Sequence, residues 1–263
     1  MVSNWLFEHI PVSASTNTDL MDRWRKHELS KPVSRMADVQ TAGRGRRGRQ
    51  WLSTPESSLT FSIAYPFSAE NGIPHLSGLS LACGVILIQG LSKYYDCDPN
   101  KLHHLGLGLK WPNDILVQSS KLAGILIEGG QSSPELPCWM VIGIGINLSS
   151  DPSHNASSDY KAASLDEIAP KPTKIDVKSL WESLSNTYAE QLARFDRLGF
   201  SGFKEDWEYW NAFKNQAVDL RQNDSSVLTG ECYGVNDQGV LLIKTPEGIK
   251  SIHNGDLSLR LSL

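Results

Sequence analysis

Gly143-Ile144-Gly145-Ile146-Asn147 constrains this chain more than any other segment. In an extended strand side chains alternate across the two faces, so Ile142, Ile144 and Ile146 share one face while Gly143 and Gly145 share the other. The isoleucine face is a core face. The glycine face carries no side chains, and glycine weakens a strand, so something must approach that backbone closely. A ligand or another piece of backbone satisfies that requirement equally well.

A second segment concentrates charge. Gln40-Thr41-Ala42-Gly43-Arg44-Gly45-Arg46-Arg47-Gly48-Arg49-Gln50-Trp51 sets four guanidinium groups within six residues, in a 263-residue chain whose formal net charge is −4. Arginine forks grip phosphate or carboxylate bidentately. Gly45 and Gly48 relax the backbone so that main-chain N–H groups can turn toward the same anion. Three readings exist: a solvated charge run, a nucleic-acid patch, and an anion clamp for a nucleotide or carboxylate. Glycine alternation behind a strand argues against the first. The acidic balance, and the lack of a second basic cluster or a stacking aromatic series, argue against the second. The Gly-Lys-Ser/Thr of a Walker A loop is missing.

Two further pieces carry polar groups into apolar surroundings. In Lys110-Trp111-Pro112-Asn113-Asp114 the proline ends a strand and Asn-Asp builds a turn. The segment reads as a plain hairpin turn, or as one offering an amide, a carboxylate and an indole to a purine or a metal. Lys121 opens the run Leu122-Ala123-Gly124-Ile125-Leu126-Ile127, which Glu128 closes. Its ammonium either snorkels to water or points into a pocket, where it would suit a carboxylate or an α-phosphate. Spacing reveals no Ser/His/Asp or Cys/His grouping, so the chemistry these residues suggest is electrostatic, with cations around a phosphoryl-type transition state.

Patterning predicts a strand over residues 5–10 and a helix starting at Ser15-Thr16-Asn17, with Leu20, Met21 and Trp24 as its apolar stripe. Strands follow over 34–41 and 57–67, the latter half-buried with Leu59, Phe61, Ile63 and Tyr65 inward. Pro74 opens a helix running to about residue 95. Three β segments, 105–111, 121–128 and 139–147, form hairpins. Residues 149–174 read as an irregular connection, and helices occupy 176–197 and 200–213. Beyond residue 215, short strands over 218–221, 226–235, 240–244 and 248–253 make a small all-β module, so domains of 1–214 and 215–263 are expected. The four cysteines are dispersed, without Cys-x-x-Cys or any metal-ligand spacing, as suits reduced thiols in a cytoplasmic protein. No secretory signal is visible, and the longest apolar stretch, 81–91, is too short to span a bilayer.

These motifs in this order resemble the biotin–protein ligase family. The matching pieces are Ser15-Thr16-Asn17, the run Gln40 to Trp51, Lys110-Trp111-Pro112-Asn113-Asp114, Lys121 to Glu128, Gly143 to Asn147, and Gly255-Asp256-Leu257-Ser258-Leu259-Arg260. The resemblance implies an α+β fold: a mixed β-sheet flanked by helices, related to the class II aminoacyl-tRNA synthetase core, followed by a small SH3-like β-barrel. It implies a two-step reaction in which biotin and ATP give biotinyl-5′-AMP, and a lysine of a biotin carboxyl carrier domain then takes the biotinyl group. Mg²⁺ would accompany ATP, with no protein metal site.

Carried over by position, Ser15, Thr16, Asn17 and Gln40 would bind the ureido head of biotin, with Gly124 beside them. Arg44, Gly45 and Arg46 would close over the carboxylate, and Lys121 would align it with the α-phosphate. Lys121 and Arg46 would be catalytic. Arg47, Arg49, Trp51, Asn113, Asn147 and Arg260 would contact ATP or the adenylate. Gly143 and Gly145 would make room beside the sheet.

Because the motif Ser15-Thr16-Asn17 arrives so early, the resemblance points to the monofunctional type without a DNA-binding domain. It implies no nucleic-acid or membrane partner and allows a homodimer. Gln50 departs from the basic residue found in many members. Residues 149–160 have no clear counterpart, and no base for the acceptor lysine is identified. The related lipoate–protein ligases are the nearest rival. The polar set at Ser15-Thr16-Asn17 and Gln40 favours a hydrogen-bonding ureido group over a dithiolane. A non-catalytic anion- or nucleic-acid-binding module built on the arginine loop is the other alternative.

Overall fold

The computed structural model describes residues 4–151, 161–169, 175–221, 227–253 and 258–262. Parts of the expected irregular connection (152–160 and 170–174), residue 226 and residues 255–257 of the C-terminal motif lie outside them.

Seven strands form the main sheet: β1 (Leu6–Ser13), β2 (Val33–Gln40), β3 (Ser58–Phe67), β4 (Leu107–Lys110), β5 (Asp114–Val117), β6 (Ser120–Gly130) and β7 (Cys138–Asn147), in the order β1-β2-β3-β7-β6-β5-β4. Only β1 and β2 run parallel; the other pairs are antiparallel, so the sheet is mixed.

One sheet face carries the large core. Ile142, Ile144 and Ile146 of β7 join Leu59, Phe61 and Ile63 of β3 beneath α2 (Leu79–Tyr94) and α4 (Val177–Leu198). Helix α2 is apolar almost all round and is correspondingly buried along most of its length. Helix α4 is capped by Asp176, whose carboxylate accepts from the Lys178 and Ser179 N–H groups, and it presents Leu180, Trp181, Leu184, Tyr188, Leu192 and Phe195 to the core. The opposite face is covered by α1 (Thr16–Arg25), capped by Ser15, through a smaller cluster of Leu20, Met21, Val33, Ala64 and Val141. The second sheet consists of β8 (Ala217–Arg221), β9 (Val227–Val235), β10 (Leu241–Thr245), β11 (Gly248–Ile252) and β12 (Ser258–Leu261), all antiparallel in the order β11-β10-β9-β8-β12. Among the described residues no ladder closes it into a barrel.

Several expectations change. Strand β3 is buried on both faces, because the Ser58, Thr60, Ser62 and Ala64 side lies against α1 and the pocket. The helix expected from Pro74 is a 3₁₀ turn over Ile73–Leu76; α2 starts only after Gly78, which takes the left-handed conformation with φ 76°. Of the segment expected as 105–111 only Leu107–Lys110 is strand, and a separate β5 follows where a turn leading to the next strand was expected, concealed by the turn residues of the Pro-Asn-Asp motif. Residues 200–213 divide into a 3₁₀ turn (Phe200–Gly202) and α5 (Lys204–Trp210). A short helix α3 (Pro99–His104), capped by Asp98, and strand β12 were not anticipated.

Candidate active site

A pocket opens on the α1 face of the main sheet, and its floor is a row of residues in register across five strands. Thr60 of β3 pairs with Gly145 of β7, Gly145 with Gly124 of β6, Gly124 with Asp114 of β5, and Asp114 with Lys110 of β4. The side-chain-free stretch expected from sequence is real, but side chains cover it. A Cβ on Gly143 would overlap the Asn17 amide, and one on Gly145 would overlap the Trp51 indole. The covering groups come from α1 and the arginine loop; Trp51 Nε1 is buried and has no acceptor.

One end of the pocket is neutral and densely hydrogen-bonded. Gln40 Oε1 accepts from the Thr16 N–H (2.7 Å) and from Thr16 Oγ1 (3.1 Å). Ser62 Oγ donates its hydrogen to Asn17 Oδ1 at 2.7 Å, so the single Thr16 hydroxyl hydrogen lies between Ser62 Oγ, at 2.7 Å, and Gln40 Oε1. Ser15, Thr16, Asn17 and Ser62 are all buried. These hydroxyl and amide groups are held in place by one another, so a ligand meets fixed donors and acceptors.

The other end is cationic. Lys121 Nζ lies 2.7 Å from Asp114 Oδ1 and 5.6 Å from the centre of the Trp51 ring. Lys110 Nζ lies 3.8 Å from Asp114 Oδ2. Burial acts to raise the Asp114 carboxyl, but the Lys121 and Lys110 ammonium groups outweigh it and hold it below the usual carboxylate value. Lys121 therefore does not snorkel away. A register shift between β5 and β6 turns it inward: Ile115 pairs with Ala123 but Leu116 with Lys121, leaving Leu122 as an extra residue in the core.

The arginine loop folds over both ends. Residues 44 and 50 bridge in antiparallel fashion, the Trp51 N–H donates to the Gly43 carbonyl, and a 3₁₀ turn spans Arg46–Gly48 with Arg47 left-handed at φ 59°. Arg44 Nη2 donates to Glu128 Oε2 at 2.5 Å, and Arg46 Nη1 donates to Asn113 Oδ1 at 3.0 Å. Asn113 is fixed in turn by donating to the Ile125 carbonyl at 2.8 Å.

Ser15, Thr16, Asn17, Gln40, Arg44, Gly45, Arg46, Arg47, Arg49, Trp51, Asn113, Lys121, Gly124 and Asn147 all line this one pocket. Asn147 holds its rim by donating to the Lys121 and Ala163 carbonyls. Arg260 differs: its neighbour Leu259 lines the pocket, while Arg260 stands beside it in β12. Sequence reasoning missed Ser62, although uncharged Ser58, Thr60 and Ser62 at alternate positions are the mark of a polar face that is covered. It also left Asp114 and Glu128 without partners: Asp114 meets Lys110 and Lys121 through strand register, and Glu128 meets Asn17 and Arg44, which are distant in sequence.

A sheet that sets a fixed neutral polar shell at one end of a pocket and clustered cations at the other defines an enzyme that joins a carboxylate to a nucleotide phosphate. The chain belongs to the biotin/lipoate A/B protein ligase family, which it matches over residues 9–147; residues 214–260 match the biotin protein ligase C terminal domain. It is 32% identical to the bifunctional ligase/repressor BirA of Escherichia coli (strain K12) over 251 residues, 95% of this chain and 73% of that protein. It is 27% identical to the biotin–[acetyl-CoA-carboxylase] ligase of Paracoccus denitrificans over 213 residues, 81% of this chain and 84% of that one. Among solved structures it is similar to the biotin protein ligase from Aquifex aeolicus in complex with biotin and ATP, at TM-score 0.75 and 30% identity, covering 98% of this chain and 99% of that chain.

Proposed function

We propose that this pocket activates biotin with ATP and passes the biotinyl group to a carrier lysine. The observation that supports it most is the gradient along a single floor: Thr16, Asn17, Gln40 and Ser62 at one end, Lys110, Lys121 and Arg46 at the other, with Gly145 and Gly124 in register between them. A biotin laid along that floor puts its ureido group among fixed hydrogen-bonding partners and its carboxylate among the cations. A carboxylate oxygen then attacks the α-phosphorus of ATP and the bond to pyrophosphate breaks, giving biotinyl-5′-AMP. The amine of the acceptor lysine later attacks the acyl carbon, AMP leaves, and an amide forms. Lys121 and Arg46 lower the first barrier by offsetting repulsion between two anions held in attack geometry. The unpartnered Trp51 N–H and the Asn113 amide supply polar contacts for the nucleotide end.

Mg²⁺ enters with the triphosphate. Among the described residues no three His, Cys, Asp or Glu side chains converge, and the carboxylate lining the pocket, Asp114, is tied to Lys121. Such a donor set suits an ion carried on phosphate oxygens, which screens their charge.

The chain divides into a catalytic unit of residues 1–214 and a C-terminal unit of 215–263, and the second contributes Leu259 to the pocket rim. The acceptor is the biotin carboxyl carrier domain of acetyl-CoA carboxylase or of a related carboxylase. We read the protein as a cytoplasmic enzyme without a nucleic-acid or membrane partner, a reading supported by its use of ATP, its acidic balance and its free cysteines. A homodimer is compatible with this activity.

Biotin-dependent exchange of pyrophosphate into ATP tests the reading. Exchange with biotin is the expected result; exchange driven by lipoate but not by biotin would reassign the substrate.

A further inference from the structure

One carboxylate oxygen behind the pocket wall ties the floor to the loop that covers it. Glu128 lies near the end of β6, paired in register with Val141 and thus on the α1 face. Its Oε2 accepts from Asn17 Nδ2 at 3.0 Å and from Arg44 Nη2 at 2.5 Å. The two donors differ in kind. Asn17 is only 3% exposed and belongs to the rigid polar floor, whereas the Arg44 side chain is 44% exposed and belongs to the loop.

The Asn17 amide has one orientation that satisfies both of its ends. Its nitrogen needs the Glu128 carboxylate, and its oxygen needs the Ser62 hydroxyl, which also meets Thr16 and through it Gln40. A carboxylate accepts without donating, so it permits no flipped amide at this position. A continuous chain of contacts therefore runs Arg44–Glu128–Asn17–Ser62–Thr16–Gln40. Without Glu128 the amide nitrogen keeps only the longer 3.5 Å contact to the Leu126 carbonyl, and the base of the loop loses the charge-assisted bond that holds it over the pocket.

We infer that Glu128 is a positioning residue for biotin: through one oxygen it presets the head-group site and the lid together, so that biotin meets an ordered pocket. The inference rests on the ligase reading above. A preset site loses less side-chain and loop freedom on binding. An exposed Arg–Glu pair that served stability alone would contribute little and would leave binding unchanged.

The test measures biotin affinity by calorimetry without ATP, alongside steady-state exchange, for wild type, Glu128→Ala, Glu128→Gln, Arg44→Ala and the double variant Arg44→Ala/Glu128→Ala. Removing a charge-assisted hydrogen-bond acceptor predicts biotin Kd and KM raised roughly tenfold or more in Glu128→Ala. At saturating biotin kcat stays near wild type, because Glu128 touches no reacting atom. Glu128→Gln, which keeps an acceptor for Asn17 but loses the charge facing Arg44, falls between. The double variant loses less affinity than the product of the two single losses, since the Arg44–Glu128 bond is counted in both; what it loses beyond Glu128→Ala is the part of the Arg44 contribution that does not pass through Glu128. Folded Glu128→Ala and Glu128→Gln proteins with wild-type affinity overturn the inference. So does a double variant whose loss is the full product of the single losses. Wild-type protein lacking biotin-dependent exchange overturns the ligase reading and this inference with it; normal wild-type exchange with unaltered variants removes the inference alone.

Discussion

Asp114 shows how much a single side chain can organise. It stands between Lys121 at 2.7 Å and Lys110 at 3.8 Å, with its side chain 16% exposed. Asp114→Asn should therefore leave the buried Lys110 ammonium and the partly exposed Lys121 ammonium facing a neutral amide, at a stability cost on the order of 2 kcal/mol, below the usual range for breaking a fully buried pair. The pH dependence has a defined sign. The folded carboxyl titrates below its unfolded value, so its contribution is fully present above the ordinary aspartate pKa, about 3.9, and is lost as pH falls through the depressed folded value. Urea titrations should show a constant gap between wild type and Asp114→Asn from neutral pH down to about 4, narrowing below it. A gap that widens on acidification would contradict this assignment. The sequence displayed Lys110 and Asp114 in one motif and Lys121 in another. It did not disclose that they meet, because ion pairs between strands depend on register.

The elements that build the site differ in how visible they were. Helix α1 was legible because Ser15 caps it and Leu20, Met21 and Trp24 recur at helical spacing. Strand β7 was legible because only a pleated strand sorts glycine and isoleucine to opposite faces. The inward turn of Lys121 was not. On uninterrupted alternation Lys121 would share the core face with Ala123 and Ile125, and only the register shift that inserts Leu122 brings it round to the face of Gly124. The arginine loop was recognisable as an anion clamp, but its fastenings, Glu128 and Asn113, lie on other elements. Arg46→Gly removes the contact to Asn113 without touching the core. We expect little change in melting temperature and release of biotinyl-5′-AMP faster by roughly tenfold, the scale of one charge-assisted hydrogen bond. Retention of radiolabelled adenylate on a gel-filtration column reads this directly; unchanged retention would remove the lid role from Arg46.

At the scale of the molecule, the two sheets meet beside the pocket. The turn after β9 inserts between α2 and the strand-ending Trp111. Trp111 Nε1 donates to the Gly239 carbonyl at 3.1 Å and Ser77 Oγ donates to the Gln238 carbonyl at 2.6 Å. Gly239 has φ 75°, and a Cβ there would lie 2.8 Å from Gly78 Cα. Gly239→Ala meets both backbone strain and a backbone clash, so it should destabilise by about 1–3 kcal/mol. Because Trp111 lines the pocket, the same variant should raise the KM for ATP. Limited proteolysis near residue 215 together with exchange kinetics checks both; a variant with normal kinetics and protease resistance would uncouple the C-terminal sheet from the site. By itself the sequence determined the local geometry: a strand with one bare face, a Gly-Arg loop, a capped helix, a change of character near residue 215, and an ordered set of motifs that resembles one family. Those features follow from backbone propensity and side-chain alternation, which act over a few residues. Only the tertiary structure decided that five strands align their floor residues in one row, that Trp51 and Asn17 cover the glycines, and that a β-bulge aims Lys121 inward. Register, bulges and long-range hydrogen bonds are set by packing between segments far apart in the chain, and no local pattern encodes them.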